Sequence, residues 1–478
     1  MTKALFNRTK IVATIGPATS SLDNLKAIIN EGVDVCRLNF SHGTYEDHQK
    51  VVDNIRQANE ELSTNVCMLL DLQGPKLRVG EMENGKVELI QGEIIEVTTE
   101  KCIGTSKRIY INFENLPKDV NIGERILLDD GKLELKVIET NKKDLVKALV
   151  IFGGVLSNKK GFNLPDTKMS IPSMTQKDLD DLKFGIENKV EWVALSFVRS
   201  EHDVVFIRNI IDQNDWKPRI ISKIEKPEAV ENIDKIIAAS DGIMVARGDL
   251  GVEMPMEQVP VIQKRIVKKC IEASKPVIIA TQMMESMIVS PVPTRAELND
   301  IANAVMDGSD AVMLSAETSV GAYPVNAISY MRRTIMEVET GTNAPYFKGQ
   351  RPSADSETFL SDEICFTAVR VSDHLKADAI VGMTFSGYSA YKISSFRPKA
   401  SIFIFTTNPR LVNTLSLVWG VRGFLYREFE STDDSMQDVN NSLLKGGFVK
   451  SGQLVINTAS MPIIERNRVN TIKVSEIK

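Results

Sequence analysis

Three charged side chains lie at the ends of two short apolar runs. Lys223 and Glu225 close the run RIISKIE at 219–225, and Asp249 follows the run DGIMVARG at 241–248. Strand side chains two residues apart point to the same face, so Lys223 and Glu225 would share one cavity. Two carboxylates offer the hard oxygen ligands that a divalent metal takes, and the ammonium adds a fixed positive charge. This combination predicts a site for a phosphorylated or enolic substrate.

Polar residues also collect after most of the other apolar runs. In a parallel barrel the carboxyl ends of the strands share one face, and that face carries the active site. A single polar residue there would more often be a cap or turn residue, but so many together favour a common site. They are Arg37, Asn39, Ser41 and His42 towards the end of the second run, Asp71, Lys76 and Arg78 around the end of the third, Arg247 and Gly248 at the end of the sixth, Thr281 and Gln282 at the end of the seventh, and Glu317 near the end of the eighth.

The apolar runs also predict the fold class. Near-continuous apolar strands are typical of a parallel sheet that is covered on both faces. Helical patterns, such as those at 22–32 and 229–240, lie between most of them. Eight strand–helix units predict an α/β fold, a (β/α)8 TIM barrel, with an open doubly wound sheet as the alternative. The runs lie at 10–16, 33–42, 67–75, 190–198, 219–225, 241–248, 276–282 and 310–318.

Two further regions depart from the alternation of strands and helices. Residues 75–170 alternate in polarity and contain turn signals such as ENG and DDG, which predicts an inserted β-barrel domain. The insert leaves the barrel at the active-site face, so we expect a lid, with a stability or interface appendage as the alternative. A polar linker then precedes a C-terminal α/β regulatory domain at 345–478. The barrel itself would comprise 1–74 and 171–344.

Composition excludes several classes of protein. The 478 residues carry a net charge of −5 and no basic tract, which argues against nucleic acid as a partner. No apolar run approaches the roughly 20 residues that span a bilayer, so no membrane association is expected. Five cysteines without paired spacing indicate reduced thiols in a cytoplasmic protein.

Charge suggests a role for each residue at the strand ends. Glu225 and Asp249 would hold Mg²⁺ or Mn²⁺, with waters and substrate oxygens completing the shell. Arginines such as Arg37 can grip phosphoryl oxygens with a planar fork of donors. Gly248 would let backbone N–H groups approach an anion, and the Thr281 hydroxyl could fix a water or relay a proton.

At these residues the chain resembles the pyruvate kinase family. Long segments match in family order, namely KIVATIGPAT, RLNFSHG, KKGFNLP, DLKFG, ISKIE, SDGIMVARGDLG, ATQMMESM, PTRAE and DAVMLSAET. The resemblance implies transfer of a phosphoryl group from phosphoenolpyruvate to ADP, giving pyruvate and ATP, with magnesium as cofactor. It also implies a homotetramer.

The resemblance carries over to individual residues. It implies that Lys223, Thr281 and Arg37 are catalytic and that Glu225 and Asp249 bind the metal. Phosphoenolpyruvate would contact Arg37, Gly248, Asp249 and Thr281, and the nucleotide would contact Arg78, Lys160, Asn39 and His42. Two other functions remain open: a regulatory protein that has lost catalysis, and a different enolate enzyme on the same barrel that does not use ADP.

One segment departs from the potassium-dependent branch of the family. Those relatives read LDTKGPE where this chain reads LDLQGPK, so that Lys76 replaces a glutamate. The resemblance places the potassium ion near Asn39, Ser41 and Asp71. A tethered ammonium at Lys76 could replace the ion, and the hypothesis is that potassium is not required. In the alternative, Lys76 pairs with a nearby carboxylate while potassium still binds.

A hydroxyl-rich turn in the C-terminal region forms a candidate anion site. It precedes a predicted helix, whose N-terminal N–H groups attract anions. The resemblance implies an effector site for a sugar phosphate, and an ordinary helix cap is the alternative. Arg466 and Arg468 are available for a second phosphate, but the sequence leaves their direction open. The turn residues are Thr384, Ser386, Gly387 and Ser389.

Overall fold

A computed structural model of the chain describes residues 7–342, 344–347, 349–427 and 431–478. The chain begins with alternating strands and helices. Helix α1 begins after Ser21, whose side chain accepts a hydrogen bond from the Asn24 N–H, and it ends at Gly32, where φ is 123°. Glycine suits that end because the conformation disfavours a Cβ. The elements are β1 (Lys10–Ile15), α1 (Leu22–Glu31), β2 (Val35–Asn39), α2 (Tyr45–Leu62) and β3 (Cys67–Asp71).

The insert that follows β3 is rich in strands. A six-stranded sheet has the order β11-β7-β8-β9-β5-β6, and β10 pairs with β4. Isolated bridges join Arg78 to Gly161 and Val79 to Ile111, so the segment at 78–79 meets both edges of the curled sheet. The elements are β4 (Lys86–Leu89), β5 (Ile94–Thr98), β6 (Arg108–Tyr110), α3 (Leu116–Asp119), β7 (Arg125–Leu128), β8 (Leu133–Thr140), β9 (Leu145–Phe152), β10 (Gly154–Ser157) and β11 (Phe162–Asn163).

The chain then resumes the strand–helix alternation and completes a closed barrel. Eight parallel strands follow the order β1-β16-β15-β14-β13-β12-β3-β2, which confirms the TIM barrel and excludes the open sheet. The elements are α4 (Gln176–Glu187), β12 (Trp192–Leu195), α5 (Glu201–Asp212), β13 (Arg219–Ile224), α6 (Pro227–Glu231), α7 (Ile233–Ala239), β14 (Gly242–Ala246), α8 (Arg247–Glu253), α9 (Val259–Glu272), β15 (Val277–Ala280), α10 (Arg295–Asp307), β16 (Ala311–Leu314), α11 (Ala316–Ser319) and α12 (Pro324–Thr340).

Most of the predicted strands are too long at their carboxyl ends. After β14 the chain enters α8 at once, so Gly248 and Asp249 lie in the first turn of a helix and not on a strand. After β15, Thr281 and Gln282 have φ values of 69° and 54°, which end the strand by reversing the backbone. Sequence periodicity does not show these reversals because the residues involved are not glycines.

The C-terminal region is a separate α/β layer structure, as predicted. Its sheet has the order β19-β18-β17-β20-β21, with the last strand antiparallel to its neighbour. Buried clusters lie on both faces of this sheet. The elements are α13 (Phe359–His374), β17 (Ala379–Met383), α14 (Tyr388–Ser395), β18 (Ser401–Thr406), α15 (Pro409–Thr414), β19 (Val421–Leu425), α16 (Thr432–Lys445), β20 (Leu454–Ala459) and β21 (Thr471–Glu476).

The C-terminal region packs against the floor of the barrel, the face opposite the candidate active site. Leu417 belongs to the buried cluster inside the barrel, together with Trp192. The Trp192 indole N–H donates to the carbonyl of Thr414 at 3.2 Å. Arg397, 1% exposed, pairs with Asp310 at 2.8 Å just below β16. A polar and an apolar contact therefore fix this region to the floor.

All five cysteines are free thiols, as predicted, and Cys102 alone among them is not fully buried. Within the described ranges, no helix has the length and apolar character needed to cross a membrane.

Candidate active site

Lys223 lies at the centre of a charged cluster at the carboxyl ends of three neighbouring strands. Its Nζ is 2.8 Å from Oε1 of Glu225 and 3.3 Å from Oδ1 of Asp71. It also donates to Oγ of Ser196 at 2.8 Å. Asp71 ends β3, Ser196 follows β12 and Glu225 follows β13, and these strands are adjacent in the barrel. Parallel pairing therefore brings together residues that are far apart in the sequence.

The cluster keeps its lysine charged. Burial disfavours the ammonium, but the carboxylates of Asp71, Glu225 and Asp249 outweigh burial and raise the pKa of Lys223 above its usual value. Burial likewise opposes ionisation of Asp71, but Lys223 and Arg37 prevail and lower its pKa. At neutral pH the centre of the site is thus a fixed ammonium flanked by carboxylates.

Arg37 is held beside this cluster with little freedom. Its Nε donates to Oδ2 of Asp71 at 2.7 Å, and its Nη1 donates to Oγ1 of Thr14 at 2.8 Å. The residue is only 9% exposed. A guanidinium that is oriented in this way can present its remaining donors to an anion at the barrel mouth.

Glu225 and Asp249 are the candidate metal ligands. Oε2 of Glu225 accepts a hydrogen bond from the Phe197 N–H at 2.8 Å, which orients the carboxylate. The Asp249 side chain reaches solvent at the barrel mouth although protein surrounds it on most sides. Desolvation and the nearby Glu225 charge raise the pKa of Asp249, so a cation between the two carboxylates would relieve their repulsion.

The donor set fits a hard divalent ion with an open shell. In the described ranges there is no group of three or more His, Cys, Asp or Glu side chains that could hold a metal. The protein would therefore supply two carboxylates and leave the other positions to water and substrate. Magnesium is commonly bound in this way, through one or two carboxylates.

Thr281 and Gly248 are joined by a direct hydrogen bond. The Gly248 N–H donates to Oγ1 of Thr281 at 2.7 Å, and that hydroxyl lies 2.6 Å from the carbonyl of Ala280. Thr281 is β-branched, so its φ of 69° is a rare and strained conformation. Such strain at the end of a barrel strand is consistent with a functional position.

The predicted nucleotide contacts are divided between the barrel and the insert. Asn39 ends β2 and His42 follows it, and Oδ1 of Asn39 accepts a hydrogen bond from the Ser41 N–H at 3.1 Å. Arg78 and Lys160 belong to the insert. Nη1 of Arg78 donates to the carbonyl of Lys159 at 2.5 Å, and Lys160 pairs with Asp129 at 2.9 Å.

Lys76 lies among other cations. Burial and the positive charges of Arg78 and Lys177 lower its pKa. Burial, Lys76, Arg78 and Arg37 likewise lower the pKa of His42. In the described part of the chain Lys76 forms no salt bridge, so the alternative in which it pairs with a carboxylate is not found here.

The hydroxyl-rich turn adopts a compact conformation before α14. Gly387, with φ of 84°, donates its N–H to Oγ1 of Thr384 at 3.1 Å. Ser386 and Ser389 line a cavity of about 90 Å³ with Arg466 and Arg468. Both arginines therefore lie on the side of the turn, which the sequence left open.

Sequence reasoning missed some positioning residues. Ser196, in the segment ALSFV, hydrogen-bonds Lys223, and a small polar residue directly after an apolar run was the available signal. Glu317 was predicted at the site, but its oxygens accept from the N–H groups of Met284 and Ser315, at 3.1 and 2.7 Å. Glu317 therefore links the segment after β15 to the turn after β16.

The family follows from comparison with known proteins. The family model "Pyruvate kinase, barrel domain" matches residues 6–328, and "Pyruvate kinase, alpha/beta domain" matches residues 362–475. The chain belongs to the pyruvate kinase family. This confirms the resemblance that was inferred from the sequence motifs.

Members of the pyruvate kinase family match almost end to end. A pyruvate kinase from Geobacillus stearothermophilus is 42% identical over 472 residues, which cover 98% of this chain and 80% of the relative. One from Staphylococcus epidermidis is 41% identical over 468 residues, with the same coverage. The crystal structure of a pyruvate kinase from Cryptosporidium parvum superposes with a TM-score of 0.93 at 36% identity, covering 99% of this chain and 96% of the other.

Proposed function

We propose that this chain transfers the phosphoryl group of phosphoenolpyruvate to ADP, giving pyruvate and ATP. One observation carries the proposal: the Lys223 ammonium is fixed between Asp71 and Glu225. It lies at the mouth of a barrel that matches the pyruvate kinase family model. Phosphoryl transfer depends chiefly on positioning and on stabilising charge as it moves, and a preoriented cation does both.

Mg²⁺ or Mn²⁺ would be held by Glu225 and Asp249, where it would neutralise charge on the phosphoryl group and on the enolate oxygen. Arg37 binds the phosphoryl oxygens, and Gly248, Asp249 and Thr281 contact the rest of the substrate. The Lys223 ammonium stabilises negative charge as the enolate leaves. A proton delivered near the Thr281 hydroxyl to the methylene carbon of the enolate then gives pyruvate, and this protonation drives the transfer forward.

The nucleotide would lie between the barrel and the insert. Asn39 and His42 contact it from the barrel, and Arg78 and Lys160 contact its phosphates from the insert. We propose that the insert, residues 75–170, acts as a lid over barrel segments 1–74 and 171–344. In this role Lys160 exchanges its partner Asp129 for a phosphate when the lid closes.

A coupled assay tests the reaction. With phosphoenolpyruvate, ADP and Mg²⁺ we expect pyruvate and ATP to form in equal amounts, because both products come from one transfer. Chelation of the divalent ion is expected to abolish turnover, because the negative charges of Glu225, Asp249 and the substrate would then lack a shared counter-charge. Turnover without ADP would favour the other enolate enzyme, and no turnover at all would favour a protein that has lost catalysis.

We further propose that activity does not require potassium, because Lys76 supplies a fixed positive charge near Asn39, Ser41 and Asp71. The absence of a salt bridge to Lys76 among the described residues supports this, since its charge is not neutralised by a protein carboxylate. We expect turnover in potassium-free buffer to change little when KCl is added at constant ionic strength.

Charge reversal provides the contrast for this prediction. Lys76→Glu is expected to lower potassium-free turnover at least about tenfold, equivalent to about 1.4 kcal/mol of transition-state stabilisation, and added KCl should restore it. The control variant Lys177→Gln removes a neighbouring cation without restoring a glutamate to the potassium region. Strong potassium activation of the unaltered enzyme would contradict the proposal.

The remaining proposals concern regulation and assembly. The cavity at Thr384, Ser386, Gly387 and Ser389, with Arg466 and Arg468 alongside, supports a sugar-phosphate effector site. A homotetramer in the cytoplasm is proposed from family membership. Light scattering of the purified chain would measure the assembly directly.

A further inference from the structure

A second polar cavity lies between the barrel floor and the C-terminal region, away from every residue assigned above except Ser386. Its volume is about 480 Å³, within the range of small-molecule sites. The floor contributes Arg219, Asp241 and Lys275, and the C-terminal region contributes Asp362, Tyr388 and Tyr391. These residues start β13, precede β14 and β15, and lie on α13 and α14.

The carboxylates in this interdomain cavity already have partners. Asp362 accepts hydrogen bonds from the Tyr388 hydroxyl at 2.5 Å and from Oγ1 of Thr358 at 2.9 Å, and it pairs with Lys392 at 3.2 Å. Oδ2 of Asp241 accepts from Arg208 and from the Ile220 N–H, both at 2.9 Å. Asp362 therefore has little remaining capacity to accept from a ligand, whereas Oδ1 of Asp241 lies 3.6 Å from Arg219.

The donors in the cavity are only partly paired. The Tyr391 hydroxyl is buried and, within the described residues, has no hydrogen-bond partner. The Arg219 guanidinium stacks over the Tyr391 ring at 4.8 Å and lies 3.6 Å from Asp241. Its side chain makes no hydrogen bond to any described residue. Among the described residues, the Lys275 ammonium donates to the carbonyl of Ser240, at 2.6 Å.

An unpaired buried hydroxyl costs free energy, and a guanidinium that makes an ion pair but no hydrogen bond keeps donors for a ligand. Together with the Lys275 ammonium, these two groups match an anion that has several acceptor oxygens. The hydroxyls of Ser356, Thr358 and Ser386 line the rest of the cavity. They suit a ligand that carries hydroxyl groups of its own.

We propose that this interdomain cavity binds a phosphate monoester of a small hydroxylated compound, with the phosphate on Arg219, Lys275 and Tyr391. The site is distinct from the cavity of the hydroxyl-rich turn. Tyr388 lines both cavities: its hydroxyl contacts Asp362 in the first, and Arg468 lies 5.9 Å from its ring in the second. Binding at this site would brace the barrel floor against the C-terminal region.

Calorimetric titration of the full chain with inorganic phosphate and with glycerol 3-phosphate tests the site. Arg219→Gln is expected to remove one phosphate equivalent per chain or to weaken it at least about tenfold, because a charge-assisted contact is lost. The matched variant Arg466→Gln changes only the cavity of the turn and should leave that equivalent in place. Turnover is not measured, so the result is independent of the proposed reaction.

Tyr391→Phe serves as a second variant that is expected to fold, since it removes a hydroxyl without a partner. We expect its phosphate affinity to fall about three- to tenfold while its thermal midpoint without phosphate stays equal or rises. If both Arg219→Gln and Tyr391→Phe keep the full stoichiometry and affinity, the proposal is wrong. It is equally wrong if a soaked crystal shows phosphate only at the active site and the turn.

Discussion

Lys223→Met is expected to lower kcat by about 10³-fold, the scale found when one preorganised charge stabiliser is removed from an active site. The reason lies in what the ammonium contacts. It sits 2.8 Å from Glu225 and 3.3 Å from Asp71, and methionine fills the space without the charge. The departing enolate would then face carboxylates with less compensating positive charge. Steady-state kinetics with phosphoenolpyruvate and ADP measure the loss.

Two controls separate chemistry from folding in this experiment. Lys183→Met removes the same charge from a side chain that is 77% exposed on α4, and it should leave kcat unchanged. Circular dichroism and Mn²⁺ binding by Lys223→Met should show a folded protein that still holds the ion at Glu225 and Asp249. A folded variant that keeps kcat within about tenfold of the parent would refute the role of Lys223.

Asp310→Ala is expected to destabilise the folded chain by about 3–5 kcal/mol, because it leaves a buried guanidinium without its counter-charge. Arg397 is 1% exposed, and its Nη2 donates to Asp310 at 2.8 Å and to the carbonyl of Gly308 at 2.8 Å. Asp310 also accepts from the N–H groups of Val277 and Trp419, at 3.1 and 3.2 Å. The midpoint of urea unfolding, followed by tryptophan fluorescence, measures the change.

An exposed pair provides the comparison for this buried one. Glu363→Ala breaks a pair with Arg351, whose side chain is 71% exposed, and should cost less than about 1 kcal/mol. The double variant Asp310→Ala with Arg397→Met should recover much of the loss, since the penalty comes from the unpaired charge. Equal midpoints for Asp310→Ala and Glu363→Ala would contradict the argument.

The sequence predicted the barrel because its strands are buried on both faces and therefore apolar throughout. The same reasoning placed Lys223, Glu225 and Asp71 at one face, where the structure brings them together. Asp249 was assigned to a strand end, yet it lies on α8, which begins at Arg247 directly after β14 without an intervening loop. The local sequence pattern thus identifies the residues at the barrel mouth, but not whether each lies on a strand or on a helix.

Contacts between distant parts of the chain could not be predicted. Nothing in the run SDAVML indicates that Asp310 pairs with Arg397, which lies 87 residues away. The same holds for Lys76, whose cationic surroundings appear only after folding. These features depend on how separate layers pack, and periodicity carries no information about that.

Strand β12 contacts the C-terminal region at one end and Lys223 at the other. Trp192 begins this strand, and its indole N–H donates to the carbonyl of Thr414, while Ser196 follows the strand's end and accepts a hydrogen bond from Lys223. Four residue steps separate them, about 13 Å of extended backbone. The short strand β12 thus joins the C-terminal region to the candidate active site, and a shift of β12 along the barrel axis would move Trp192 and Ser196 together.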